Sequence, residues 1–297
     1  MKPPPLDYEA PTLLADAVSL LAGSDRDAVV LAGGQSLVPM LNLRLARPDV
    51  LVDLRRIEGL DHIRVDGDRL VIGAMATKRA VERSALVREH HPLLHAATLE
   101  VGHPQIRNRG TVGGSMAHAD PAAEYPAVAL TCDADMTVVG PGGSRRVSAE
   151  DFFVGHLTTA LEPGEILTEV SLPLMGDRPG GFRSGWAFRE LSRRHGDFAL
   201  VGTSITLALD AAGGLRDVRL VYFGVGDTPL RLPAAEQVLD GQAPVDAVFD
   251  EAARVVEASI EGAPSDVHAS AEYRRHLAGV LTVRGLREAV GRAEGTS

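Results

Sequence analysis

The chain has 297 residues, 45% of them apolar and 24% charged, the proportions of a soluble globular protein with room for two or three cores. A net charge of −10 leaves no basic excess to displace counterions and so argues against nucleic acid as a partner. The single cysteine, Cys132, excludes both a disulfide framework and an iron–sulfur cluster ligated within this chain.

The N-terminus Met1-Lys2-Pro3-Pro4-Pro5 has no apolar run of the signal-peptide kind, and no segment reaches transmembrane length. These features place the chain in the cytoplasm. Thr12 is expected to cap a helix with Leu13, Leu14, Ala17, Val18 and Leu21 on its apolar face, ending at Gly23. Ala28–Leu31 and Val50–Leu54 read as strands, and Leu37–Leu45 as a helix beyond Pro39. The first ~55 residues therefore form a small α/β unit whose glycine turn, Ala32-Gly33-Gly34-Gln35-Ser36, follows a strand end.

From Ile63 the pattern changes. Ile63–Val65 and Leu70–Ile72 flank Asp66-Gly67-Asp68, a hairpin signal. Helices start at Thr77 and Pro92, and another runs about Pro126 to Leu130. Met136–Val139, Arg146–Val147 and Ile166–Leu172 are strands with short links, the pattern of an antiparallel sheet. Met175–Gly181 is the linker candidate. Beyond it come strands at Gly185–Phe188, Ala199–Leu209 and Val218–Val225, then helices at Pro233–Leu239, Val245–Glu261 and Ala271–Ala289, the order of a separate α+β domain.

A second glycine segment, Thr111-Val112-Gly113-Gly114-Ser115, lies about eighty residues after the first. Backbone without Cβ can approach a ligand closely, and successive free N–H groups make an anion-binding concavity. Two such segments suggest a cradle that closes on a long pyrophosphate-containing ligand from both sides. Neither is Gly-x-Gly-x-x-Gly or a P-loop. The stretch Gly102 to Glu124 around the second segment reads as one long polar loop. His90, His91 and His95 cluster without a His-Glu-x-x-His pattern and read as a solvated helix face, so no metal ligands and no catalytic side chains are assigned. Cys132 reads as packed core.

The ordered set of Ala32–Ser36, His103-Pro104-Gln105-Ile106-Arg107-Asn108, Thr111–Ser115, Ala119-Asp120-Pro121, Arg193-Arg194-His195-Gly196-Asp197-Phe198-Ala199, Gly224–Pro229 and Ala269–Leu277 resembles the FAD-binding medium subunit of the xanthine dehydrogenase / aerobic carbon monoxide dehydrogenase (molybdenum hydroxylase) family. The resemblance spans nearly the whole chain. It implies an α+β fold: a two-part FAD-binding domain of the vanillyl-alcohol-oxidase type over residues 1–175, with parts of about 1–57 and 58–175, then a smaller C-terminal domain over 181–292 with an antiparallel sheet and a helical bundle.

The resemblance also implies the residue roles. Backbone N–H groups of Gly33, Gly34, Gln35 and Ser36, flanked by Ala32 and Leu37, hold the pyrophosphate; Thr111, Gly113, Gly114 and Ser115 do so from the other side. His118 and Asp120 fall near the ribityl chain and ring, Glu124 near the adenosine half, and Leu167 and Phe198 near the flavin. Where relatives carry a lysine suited to an anionic reduced flavin, this chain has Glu190 beside Arg189. Noncovalent FAD would take electrons from a small [2Fe–2S] subunit, reduced in turn by a large molybdopterin subunit, and pass them to a quinone, NAD or O2. The implied assembly is an (αβγ)2 heterohexamer, which can sit at the inner face of the membrane. The alternative is a self-sufficient FAD-dependent oxidase acting on a small molecule.

Overall fold

The computed structural model describes residues 2–23, 25–177 and 180–296. The chain opens with strand β1 (Asp7–Glu9), helix α1 (Leu14–Ala22), strand β2 (Ala28–Leu31), helix α2 (Leu37–Asn42) and strand β3 (Val50–Asp53). The three strands form a parallel sheet in the order β1-β3-β2. β1 carries no apolar signal because all three of its residues are exposed; its parallel pairing with β3 makes it a strand. The α1 N-cap is Leu13, with no side-chain cap bond, so Thr12 does not fill the capping role expected of it. Asp16 in the first turn meets the positive end of the helix instead.

Asp53 ties this sheet to its surroundings. It is 1% exposed and accepts from Tyr8 Oη at 2.6 Å, the Arg55 backbone N–H at 2.9 Å and the Arg55 guanidinium at 2.6 Å. Burial by itself would raise its pKa, but the hydrogen bonds from Arg55 and Tyr8 outweigh that and hold it below the ordinary carboxylate value.

The second part begins with the hairpin β4 (Ile63–Asp66) and β5 (Arg69–Gly73), then helices α3 (Lys78–Arg83), α4 (Ala85–His90), α5 (Pro92–Glu100), α6 (Pro104–Arg107), α7 (Val112–His118) and α8 (Glu124–Thr131). Strands β6 (Asp135–Gly140) and β7 (Gly143–Ser148), helix α9 (Ala149–Phe152), the short pair β8 (Phe153–Gly155) and β9 (Thr158–Thr159), and strand β10 (Ile166–Pro173) complete it. The sheet is antiparallel in the order β4-β5-β10-β6-β7: short links join β4 to β5 and β6 to β7, and β10 enters between the two hairpins by a longer connection. Thr77 caps α3 by accepting from Ala80 N–H, as the sequence indicates. His91 departs from expectation. It is fully buried, its Nδ1 accepts from Leu94 N–H to cap α5, and burial pushes its pKa down to about 4. A neutral capping imidazole replaces the solvated face.

The linker candidate includes Arg178 and Pro179, which lie outside the described residues. After it, β11 (Arg183–Ser192), β12 (Ala199–Leu209), β13 (Leu215–Phe223) and β14 (Leu230–Arg231) form an antiparallel sheet in chain order. Helices α10 (Pro233–Leu239), α11 (Asp246–Ser259) and α12 (Ala271–Glu294) follow. Strand alternation divides this sheet between two cores. Ala187, Ile205, Leu220 and Tyr222 pack under the helices, whereas Phe188, Val221 and Phe223 join the core of the preceding part. Phe223 stacks on Phe188 with centroids 5.6 Å apart and lies across Gly202, where a Cβ would come within 1.9 Å of its ring. Among the described residues, no helix is long and apolar enough to cross a membrane.

Candidate functional site

The fold brings the two glycine segments into contact. A Cβ on Gly33 would lie 2.3 Å from the Arg109 carbonyl oxygen and 2.8 Å from Gly110 Cα, so the first turn is packed directly on the residues that enter the second. A Cβ on Gly114 would meet Thr111 Oγ1 at 2.8 Å and Ala32 Cβ at 3.3 Å. Gly34 has φ +72°, a left-handed conformation that turns the chain from β2 into α2. Ala32 to Leu37 are half-buried, and among the described residues the N–H groups of Gly33, Gly34, Gln35 and Ser36 donate to no other group of the chain. That is a row of free donors of the kind an anionic ligand needs.

The second segment works differently from what its composition suggests. Within this stretch Pro104–Arg107 and Val112–His118 form the short helices α6 and α7, so it is not a continuous loop. Gly113 N–H donates to Ala74 O at 2.8 Å, and Gly114 N–H to the capping Thr111 Oγ1 at 3.1 Å. Neither is free for a phosphate, so the donor role expected of these two backbone groups is not held. A Cβ on Gly113 would fall 2.4 Å from Ala74 Cβ, which makes this residue a packing requirement of α7. Ala74 N–H in turn donates to Thr168 O at a β10 bulge, beside the buried Leu167. Leu167 thus helps seat α7. Of this segment, Gly114 comes up against the first one: a Cβ on it would lie 3.3 Å from Ala32 Cβ and 4.0 Å from Gly33 N.

His118 and Asp120 flank Ala119, which ends α7 in the left-handed conformation at φ +49°. Both are half-buried, and Asp120 Oδ1 accepts from Ala122 N–H at 2.9 Å. Glu124 opens α8 at 6% exposure. Burial raises its pKa against the pull of the nearby Lys78 ammonium, while Lys78 is itself lowered by burial. Phe198 is 65% exposed and belongs to none of the three hydrophobic cores. Its hairpin nevertheless reaches the first domain: a Cβ on Gly196, φ +87°, would lie 2.5 Å from the His103 ring.

Glu190 projects from β11 toward Glu124 and Glu100. Burial, and then these two carboxylates, push its pKa up to about 9, and its Oε2 is buried with no hydrogen-bond partner. The sequence reading noted this position only as a departure. Lys78 and Glu100 lie in no recognisable motif; Lys78 joins the site through its backbone bond to Gly110, and Glu100 through the packing of α5 on α8.

A row of free backbone donors at a parallel strand-turn-helix, packed against the residues that lead into a second glycine segment, is the backbone chemistry of a site for an anionic group such as a pyrophosphate. Residues 4–175 match the FAD binding domain in molybdopterin dehydrogenase, and residues 186–289 the CO dehydrogenase flavoprotein C-terminal domain. The chain is 39% identical over 296 residues to the 6-hydroxypseudooxynicotine dehydrogenase complex subunit alpha of Paenarthrobacter nicotinovorans, covering 100% of this chain and 98% of that one. It is 38% identical over 294 residues to the carbon monoxide dehydrogenase medium chain of Afipia carboxidovorans, covering 99% and 100%. The carbon monoxide dehydrogenase structure from Hydrogenophaga pseudoflava superimposes with a TM-score of 0.93 at 37% identity, over 98% of this chain and 99% of that chain. The chain therefore belongs to the family of FAD-binding medium subunits of molybdenum hydroxylases. The residues present fit the cofactor: the absence of a Cβ at Gly33 and Gly114 lets the two segments pack directly on each other, and the first segment keeps its N–H groups free.

Proposed function

We propose that this chain is the electron-transfer flavoprotein of a three-subunit molybdenum hydroxylase. FAD supplies a centre that accepts electrons one at a time from an iron–sulfur partner and releases them to a quinone, NAD or O2. The [2Fe–2S] and molybdopterin centres lie on a small and a large partner chain, because one cysteine cannot ligate a cluster here. An (αβγ)2 heterohexamer in the cytoplasm, with access to the inner membrane face, is the assembly this reading implies. The substrate is selected in the molybdenum subunit.

The observation that carries the reading is the apposition of Gly33 on Arg109 and Gly110, with the N–H groups of Gly33 to Ser36 left free. The chain's own residues divide the work. The first segment binds the pyrophosphate through backbone N–H groups, and Thr111, Gly114 and Ser115 close the cradle. Leu167, Phe188 and Phe223 keep water from the core beneath it. Glu190, holding its proton at neutral pH, presents a neutral carboxyl where an ionised side chain would alter the electrostatics of the cofactor.

The test is to purify the chain from its native host and record its visible spectrum together with the metals and chains that accompany it. Flavin absorbance with molybdenum, iron and two further chains is the expected result. Flavin on a lone chain that is reduced by a small substrate favours the self-sufficient oxidase, and a folded chain without flavin overturns both.

A further inference from the structure

Lys78 is the first residue of α3, only 8% exposed, and it lies where the two glycine segments meet. Its backbone N–H donates to Gly110 O at 2.8 Å. Its stem runs past Gly110 opposite Gln35: a Cβ on Gly110 would find Lys78 Cδ and Gln35 Cγ both at 3.6 Å. The ammonium ends 3.2 Å from Ser115 Oγ and 5.0 Å over the ring of the fully buried Tyr125. None of the described carboxylates makes an ion pair with it; Glu124 shares its surroundings and pulls on its charge without reaching contact.

A buried ammonium with one hydroxyl and one ring face for company is costly unless something negative joins it. An ammonium only donates, so the hydrogen bond to Ser115 must be accepted by Oγ, and the hydroxyl proton of Ser115 is left to donate elsewhere. We propose that Lys78 is an FAD-binding residue: its ammonium supplies the positive charge that the glycine segments lack, and by donating to Ser115 it turns that hydroxyl proton toward the pyrophosphate. The inference rests on the FAD reading of the cradle and adds to it a charged side chain outside both glycine segments. The placement also gives Tyr125 a part, since its ring carries the charge on a face that cannot neutralise it.

The experiment titrates the flavin-free full-length chain with FAD, following fluorescence quenching, for wild type, Lys78→Met, Lys78→Gln, Ser115→Ala and the Lys78→Met/Ser115→Ala pair. Thermal unfolding of each flavin-free chain is measured alongside. Both Lys78 variants are expected to weaken FAD binding by about tenfold or more, without lowering the flavin-free melting temperature, because the unpaired charge is a liability in the empty chain. Ser115→Ala is expected to cost less in the Lys78→Met background than in wild type, since the two residues act as one donor unit. Wild-type affinity in a folded Lys78 variant, or a lowered flavin-free melting temperature with unchanged affinity, overturns the inference and leaves the FAD reading intact. Additive effects of Lys78→Met and Ser115→Ala overturn the coupling through Ser115. A wild-type chain that binds no FAD overturns the FAD reading itself. Should Lys78→Met not fold, Lys78→Gln, which keeps the stem and a polar head, carries the same test.

Discussion

Arg189 and Glu190 are neighbours in sequence and face opposite sides of β11. Arg189 pairs with Glu288 of α12 at 2.5 Å, while Glu190 turns toward Glu124 and Glu100 of the first domain. Strand alternation enforces this division, so the arginine cannot turn its charge to the side that Glu190 faces. The carboxyl that does face that side is held neutral.

Glu190 gives the first prediction. Its folded pKa of about 9 lies above the ordinary glutamate value, so folding retains a proton that the unfolded chain has lost. Below about pH 4 both states are protonated and nothing is lost; between the two pKa values stability falls as pH rises. The steepest slope is on the order of 1 kcal/mol per pH unit. Glu190→Gln removes this slope: denaturant unfolding at pH 5, 7 and 9 is expected to show the variant gaining on wild type at each step. Equal curves at all three pH values would show that Glu190 ionises freely.

The two glycines of the second segment are expected to fail in different ways. Gly113→Ala drives a methyl to 2.4 Å from Ala74 Cβ and lowers stability by roughly 1–3 kcal/mol, the ordinary cost of overpacking. Gly114→Val instead crowds Thr111 and Ala32 at the mouth of the cradle and abolishes FAD retention while the C-terminal domain stays folded. Flavin-to-protein ratio and melting temperature, measured together on both variants, separate the two outcomes. Normal flavin content in Gly114→Val contradicts the cradle.

Asp53 predicts behaviour in acid. Its folded pKa is depressed, so its stabilisation is present above the ordinary aspartate value and is lost as pH falls through the folded one. Asp53→Asn leaves the half-exposed Arg55 guanidinium without its carboxylate and is expected to cost about 1 kcal/mol at pH 7, with the difference from wild type shrinking toward pH 2. Tyr8→Phe removes one hydrogen bond to Asp53 and should cost about 1 kcal/mol. Urea midpoints across this pH range check both.

Arg274 is a structural anchor of the C-terminal domain. It is 4% exposed, donates to the carbonyl oxygens of Leu200 and Gly224, the latter at 3.1 Å, and meets Asp266 at 2.6 Å. Lysine cannot reach three acceptors in that fork geometry. Arg274→Lys is expected to lower the melting temperature clearly, whereas Arg284→Lys on the exposed face of the same helix leaves it unchanged. A mild effect at Arg274 would mean that α12 is held by its apolar face alone.

The sequence by itself determined most local elements and the family. Periodicity and turn chemistry located β2, the β4–β5 hairpin and α5, because those signals depend on neighbouring residues alone. The ordered motifs were legible because ligand-facing backbone restricts residue type wherever it occurs. The exceptions came where pairing rather than pattern makes the element: β1 has three exposed residues, and β8 and β9 are too short to show a period.

Only the tertiary structure decided which groups of those motifs are free. Gly113 and Gly114 look alike in sequence, yet the N–H of one is spent on Ala74 and that of the other on Thr111. Lys78 carries no motif, and it enters the site because Ala76 and Lys78 hydrogen-bond to Val112 and Gly110 ahead of α7, which leaves its ammonium beside Ser115. Hydrogen-bond saturation, burial and charge are set by atoms distant in the chain, and no local pattern encodes what those atoms will be.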